Sequence, residues 1–541
     1  MTELSQWTRR LRAVGRIAFR SGAAFQARPA AAVEALRMRL AGPLGLPSLI
    51  RVHAAARPDA PAIVFEDRTR TWRELDARID RLASGLRRRH GIGRGDAGVL
   101  IMHNRPEFLE AQAALARLGG SAVSVSWRST ADELEYLVGH SGAKVVLAEA
   151  AVADAVDEAR GRLATVPAAN LIAVAGEREG FASYDALLAQ APAERVDGRE
   201  GSVVIYTSGT TGKPKGAVRE FPKEMAWAVI HVLDELPIRA DDRHLAVCPM
   251  YHSTAFGFIG FTMVLGGSVV IEPRFDPERF LAAIERHRIT TTAVVPTMLH
   301  RVLDLPESVR RRYDTRSLHA IFCGGAPLSG TLARRVIGEL GHVLYNFYGS
   351  TETGLNTLAT PEELLLSPGT IGHPIEGNEI RLLDERGREV ADGDTGELWV
   401  KNAMLVAGYH RDEAATRSSM RDGFFSVGDL AHRDENGLFH IDGRKRDMII
   451  SGGVNVYPAE VEEILHRHPR VAEVAVVGVP DEEWGERVRA CVVPDGELDE
   501  AELLTWGREQ LSGPKAPREV RLLDALPKNP TGKVLKRQLR S

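Results

Sequence analysis

The chain has 541 residues, 44% of them hydrophobic and 26% charged, with a net charge of -4. That length is too great for one core and implies at least two domains; the composition is that of a globular protein, and the charge balance excludes a global basic field for nucleic acid. Cys248, Cys323 and Cys491 lie far apart without CxxC spacing, which argues against a disulfide framework and a zinc site and suits a reducing, cytoplasmic compartment.

Residues 1–45 stand apart. Leu4, Trp7, Leu11 and Val14 recur at helical spacing, and Arg9, Arg12, Arg16 and Arg20 occupy other positions. No continuous apolar core follows, so this is not a secretory signal. A basic amphipathic helix suits peripheral contact with an anionic membrane. The same pattern serves a helix laid on the body of the protein or on a partner subunit, as in a homo-oligomer, and the Arg-rich, acid-poor start also resembles a mitochondrial presequence. Pro43, Gly45 and Pro47 mark a linker.

From about residue 49 the pattern alternates. Residues 62–65, 97–102 and 144–148 read as strands, and 71–88 and 105–118 as helices, which predicts an α/β architecture with largely parallel sheet. Residues 150–200 carry little motif signal and read as scaffold. Residues 245–271 hold no Asp, Glu, Lys or Arg. That is long enough for a membrane span, but Pro249, His252 and four glycines interrupt it, so a buried helix, a turn and a strand are expected.

Residues 206–216, YTSGTTGKPKG, follow the apolar run 203–205 and read as a strand opening into a phosphate-holding loop. Glycines let backbone N–H groups approach anionic oxygens, hydroxyls add donors, and Lys213 and Lys215 offset charge. A Walker A loop would need a glycine where Thr207 stands and Ser or Thr where Pro214 stands. Five further segments carry chemistry. They are Met250-Tyr251-His252-Ser253; Phe322-Cys323-Gly324-Gly325-Ala326-Pro327; Asn346-Phe347-Tyr348-Gly349-Ser350-Thr351-Glu352-Thr353; residues 425–449 with Asp429 and Arg444; and residues 527–533, PKNPTGK. An aromatic ring can stack on a base, a carboxylate can hold Mg²⁺, a hard ion that prefers oxygen, and one carboxylate can accept both ribose hydroxyls. Each piece alone has an ordinary reading as turn, core or solvated charge.

In this order and combination, over about residues 50–536, the segments resemble the adenylate-forming enzymes: acyl-CoA synthetases, firefly luciferase and nonribosomal peptide adenylation domains. The resemblance implies a large N-terminal adenylation domain of packed α/β subdomains (46–441), a hinge (442–447) and a small mobile C-terminal α+β domain (448–541). It assigns ATP to Thr207, Ser208, Gly209, Thr210, Thr211, Gly212, Lys213 and Lys215, and adenine and the neighbouring acyl pocket to Gly324, Gly325 and Ala326. Stacking on adenine falls to Tyr348, the α-phosphate to Thr351, Mg²⁺ to Glu352, and ribose to Asp429, with Ile441 near the adenine and Arg444 near ribose or phosphate. His252 lies beside the acyl carboxylate, Gly453 lines the coenzyme A tunnel, and Lys533 is the catalytic lysine. The hinge position, usually Asp or Lys, is Arg446.

The resemblance thereby implies a carboxylate–CoA ligase using ATP, Mg²⁺ and coenzyme A. An amino-acid-activating relative would place an Asp in the histidine region, where none stands before Glu272, and no carrier domain follows Lys533. The apolar residues 256–265 favour a medium- or long-chain fatty acid, with aryl or sterol-side-chain acids as the alternative. A luciferase-like oxygenase is a remote reading, and a non-catalytic nucleotide-binding scaffold would be expected to have lost at least one of Glu352, Asp429, Arg444 and Lys533.

Overall fold

The computed structural model describes residues 14–17, 29–41, 46–192, 194–196, 201–207, 214–222, 225–452, 454–482, 484–511, 513–528 and 534–540. Runs such as Ala97–Ile101, AGVLI, are buried along their whole length, as a parallel strand covered on both faces requires. They assemble into two large sheets. One runs His373–Pro374, Gly354–Ala359, Leu344–Ser350, Ala320–Cys323, Thr291–Val294, Arg243–Ala246, Ser268–Ile271, Pro61–Phe65, Arg68–Thr71. The other runs Gly408–Tyr409, Lys215–Arg219, Ser202–Thr207, Ser121–Val125, Ala97–Ile101, Ala143–Glu149, Leu171–Val174, Ala182–Ser183. Their interior pairings are parallel, and antiparallel strands close three of the four edges, for instance beyond Ser202–Thr207 through Lys215–Arg219; at the fourth, Ala182–Ser183 pairs parallel with Leu171–Val174.

Thr207, Cys323 and Ser350 are the last residues of three such strands. Ligands of open α/β sheets bind beyond those carboxyl ends, so the topology delivers the phosphate, glycine and aromatic–acid segments to the binding side.

Residues 245–271 resolve into the end of a strand, the helix Ser253–Leu265 and the strand Ser268–Ile271, with Gly266 at φ +89° closing the helix. No helix among the described residues is long and apolar enough to cross a membrane. Of the N-terminal segment, Arg16 pairs with Asp234, Ile17 is buried, and Glu34 pairs with Arg195 at 2.6 Å, which ties its described parts to the body.

A smaller sheet centres on Gly396–Lys401, flanked by Glu379–Leu383 and Asp429–Arg433; the last forms a hairpin with Phe439–Arg444. Beyond it, Val471–Asp481 and Gly485–Pro494 pair antiparallel, Glu519–Leu522 adds in parallel, and the helices Pro458–His466 and Glu500–Gln510 cover the sheet, an α+β unit. The helix Pro458–His466 also meets the main body, where His466 and His300 approach with ring centroids 5.9 Å apart.

Burial holds His53, His244 and His252 neutral, each pushed down to about 4. A chain that unfolds returns them to about 6.5, so the unfolded state takes up protons that the native state refuses between those values. Stability is therefore present above pH 6.5 and lost as pH falls toward 4, by up to about 1.4 kcal/mol per pH unit for each histidine. A melting temperature that drops between pH 7 and pH 5 is the expected result; a flat profile over that window contradicts it.

Candidate active site

Tyr348 leaves its strand with its hydroxyl donating to Asp429 Oδ2 at 2.8 Å, and Arg444 Nε meets Asp429 Oδ1 at 3.0 Å. Asp429 and Arg444 stand directly opposite each other across the hairpin, so its register makes them partners. Tyr348 and Ile441 pack on one apolar cluster with Leu398 and Ala431. Burial, with the Asp429 carboxylate, raises the Tyr348 phenol well above its ordinary range, so it stays a donor.

Further along the same segment, the Thr351 hydroxyl lies 3.2 Å from Ser253 Oγ. Glu352 is 6% exposed; its Oε1 accepts from the Tyr409 hydroxyl at 3.0 Å and its carbonyl accepts from Val406 N–H at 2.8 Å. Lys215 Nζ stands 5.1 Å over the Tyr409 ring, so a cation from the edge of the phosphate loop and the carboxylate suited to Mg²⁺ share one aromatic. A carboxylate beside an ammonium-bearing loop is an oxygen site of the kind that takes Mg²⁺ together with nucleotide phosphates.

His252 precedes the helix Ser253–Leu265 without capping it. Its Nε2 is shut from solvent and has no hydrogen-bond partner among the described residues, and burial keeps the ring neutral. A polar atom in that condition calls for a partner. Gly324 lies against Phe347, where an added Cβ would come within 2.5 Å of Cζ. Gly325 takes φ +76°, open to glycine, and its position lies near Val295 Cγ1 and Thr254 Oγ1, at 3.7 and 3.9 Å from an added Cβ. Ala326 follows, half-buried, in the same bend. The Gly324–Ala326 segment and the histidine segment are thus neighbours. Gly324→Ala is expected to cost about 1–3 kcal/mol through overpacking, read as a lowered denaturation midpoint; an unchanged midpoint would mean that Phe347 yields freely.

Arg446 lies in the short turn Lys445–Asp447; its carbonyl accepts from Arg540 at 3.3 Å, and burial next to Arg444 lowers the pKa of its guanidinium. The backbone of Thr207 pairs with Lys215. Ser208, Gly209, Thr210, Thr211, Gly212, Lys213, Gly453 and Lys533 lie outside the described residues. The ends of the last segment are placed: Lys528 bridges Val534, Leu535 N–H donates to the Pro527 carbonyl at 2.8 Å, and Lys536 pairs with Glu462 at 2.6 Å.

Several contributors escape sequence reading. Arg219 ends on two carbonyls, Met404 at 2.5 Å and Thr351 at 2.6 Å, and burial brings its pKa down to about 10 beside Glu352. Nothing in the strand Lys215–Arg219, KGAVR, singles out its arginine along the sequence. Tyr409 had no signal either. The helix Ala131–Ser141 meets both flanks of the phosphate segment: the Tyr136 hydroxyl donates to the Pro214 carbonyl at 3.2 Å, and His140 Nδ1 lies 2.9 Å from the Tyr206 hydroxyl.

A two-sheet body with nucleotide-suited groups at the strand ends, followed by a small α+β unit, defines an adenylate-binding enzyme. Residues 50–410 match the AMP-binding enzyme family and residues 460–533 match the AMP-binding enzyme C-terminal domain. Among curated proteins the chain is 36% identical to feruloyl-CoA synthase of Amycolatopsis sp, over 90% of this chain and 96% of that one. It is 35% identical to indoleacetate–CoA ligase of Aromatoleum aromaticum (90% and 96%) and 31% identical to the long-chain-fatty-acid–CoA ligase FadD13 of Mycobacterium tuberculosis (91% and 97%). The ATP-bound MatB of Rhodopseudomonas palustris superposes with a TM-score of 0.82 at 32% identity, over 92% of this chain and 98% of that one. The chain belongs to the adenylate-forming superfamily as an AMP-forming acyl-CoA synthetase, an acid–thiol ligase that uses ATP, Mg²⁺ and coenzyme A with a small carboxylic acid.

Proposed function

We propose that the acid is an apolar monocarboxylate, and an aryl-substituted one in the first instance, joined to coenzyme A through its acyl-adenylate. The observation that carries the site assignment is the Ser253–Thr351 contact at 3.2 Å, because it brings the histidine end of an uncharged helix against the Thr351–Glu352 pair. Two relatives, at 36% and 35% identity, act by name on aromatic acids, which moves the aryl reading ahead of the fatty-acid one. The fatty-acid reading stands second on FadD13, at 31%.

In the first step the acid's carboxylate oxygen attacks the α-phosphorus of ATP; the new P–O bond forms as the bond to pyrophosphate breaks, and pyrophosphate leaves. The acid is already an anion, so no protein nucleophile is needed, and positioning and charge stabilisation carry the rate. His252, being neutral, contributes a hydrogen bond to the acid rather than a charge. Tyr348 and Asp429 would hold the nucleoside, Lys215 and the phosphate loop would meet the polyphosphate, and Glu352 would hold Mg²⁺, which supplies charge stabilisation at the phosphates when bound. In the second step the thiolate of coenzyme A attacks the acyl carbon, and the C–O bond to AMP breaks.

Pyrophosphate release from MgATP, measured across ferulate, indole-3-acetate, benzoate and straight-chain acids with and without coenzyme A, tests the reading. Acid-dependent release, accelerated by coenzyme A and strongest with an aryl acid, is expected. Release strongest with hexadecanoate would replace the aryl reading by the fatty-acid one, and binding of MgATP with no release for any acid would overturn both.

A further inference from the structure

Between the antiparallel strands Leu344–Ser350 and Gly354–Ala359 the chain turns through Thr351, Glu352 and Thr353, and the carbonyl of each is held from outside the turn. Two are held by residues 402–409: Val406 N–H donates to the Glu352 carbonyl at 2.8 Å, and the Asn402 amide donates to that of Thr353 at 3.0 Å. The remaining one, that of Thr351, accepts from Arg219 at 2.6 Å. It belongs to the peptide that joins Thr351 to Glu352, and because that unit is planar its direction governs how the two side chains diverge.

Arg219 ends the strand Lys215–Arg219, which lies in the other large sheet. Its second terminal nitrogen donates to the Met404 carbonyl at 2.5 Å, within the same residues 402–409 that pair with its strand at Val218–Gly408 and Ala217–Tyr409. A guanidinium out of water ordinarily takes a carboxylate. Among the described residues Arg219 makes no ion pair, and the opposite charge acting on it is that of Glu352. Its planar fork is used instead on two backbone oxygens at once, a geometry that a point-like ammonium does not reproduce. We propose that Arg219 is a positioning residue for the adenylation step: by joining the Thr351 and Met404 carbonyls it fixes the turn that carries the Thr351 hydroxyl and the Glu352 carboxylate against residues 402–409. The inference rests on the ligase reading, with the α-phosphate and Mg²⁺ roles proposed for those two side chains, and adds a residue that acts through them.

The test follows Arg219→Met, which keeps an apolar stem and removes every donor, and Arg219→Lys, which keeps the charge but donates from one point. Acid-dependent pyrophosphate release, thioester formation from acyl-adenylate supplied ready-made, calorimetric binding of MgATP and the thermal transition are read for each. In Arg219→Met, release is expected to slow by about 10–100-fold and the MgATP dissociation constant to rise by about threefold or more, as when a partner that orients a ligand-bearing group is lost. Thioester formation should stay within about twofold of wild type, because the tasks proposed for Glu352 and for the attacked phosphorus fall in the first half-reaction. Arg219→Lys is expected to lose less than Arg219→Met in release and in binding, since its ammonium still reaches one of the carbonyls. Release within about twofold of wild type in Arg219→Met, or an unmoved MgATP dissociation constant, would overturn the proposal. So would equal losses in both half-reactions or a lysine variant no better than the methionine one, the results a purely structural residue gives. Should Arg219→Met lose its thermal transition, Arg219→Lys decides: release falls by about threefold or more with thioester formation within about twofold, or the proposal fails. Wild type that binds MgATP but releases no pyrophosphate with any acid is a different result, and it strikes the ligase reading itself.

Discussion

Lys533→Ala is expected to slow formation of the acyl-adenylate on the order of 100-fold or more, the usual loss when a well-placed charge at a reacting phosphate is removed. Lys533 follows Gly532 in a tail whose ends are pinned by the Lys528–Val534 bridge and the Lys536–Glu462 pair, so the substitution leaves its supports intact. The informative comparison is between half-reactions. Acyl-adenylate supplied ready-made, with coenzyme A, should pass to thioester at close to the wild-type rate, because the proposed role puts the ammonium at the attack on phosphorus and not at the attack on the acyl carbon. Equal losses in both steps would assign Lys533 a structural role instead.

Glu352→Gln should be comparably severe in the same step, a loss on the order of 100-fold, for a different reason. The amide preserves the size of a side chain that is 6% exposed and can still accept the Tyr409 hydroxyl, so packing is retained. What disappears is the negative charge that the proposed role sets against Mg²⁺. Partial recovery at raised Mg²⁺ is therefore expected, together with an unchanged melting temperature. A loss that raised Mg²⁺ leaves untouched would place the metal on other ligands.

The predicted strands and helices appear where apolar runs and helical spacing put them, because both are local properties of consecutive residues. The acid's class was less accessible. The apolar residues 256–265 read as suited to a fatty acyl tail, yet the same side chains serve as core: Phe258 is spent on Phe322 and Phe347, and the open face belongs to the glycines between the aromatics. Hydrophobicity says that a helix is buried; it does not say which side is occupied.

The α/β order, the family and the contiguous segments bearing Tyr348, Thr351, Glu352, Asp429 and Arg444 were all legible along the chain. Chemistry carried by consecutive residues survives without coordinates. Folding was needed to show that Asp429 holds Tyr348 and Arg444 together, that Arg219 braces the Thr351 carbonyl from 132 positions away, that Tyr409 reaches Glu352, and that the helix Ala131–Ser141 meets both flanks of the phosphate segment. Only the Asp429–Arg444 pair follows from sheet register; the others join separate sheets, or a helix to a strand, and that juxtaposition is an outcome of the whole packing rather than of any one stretch.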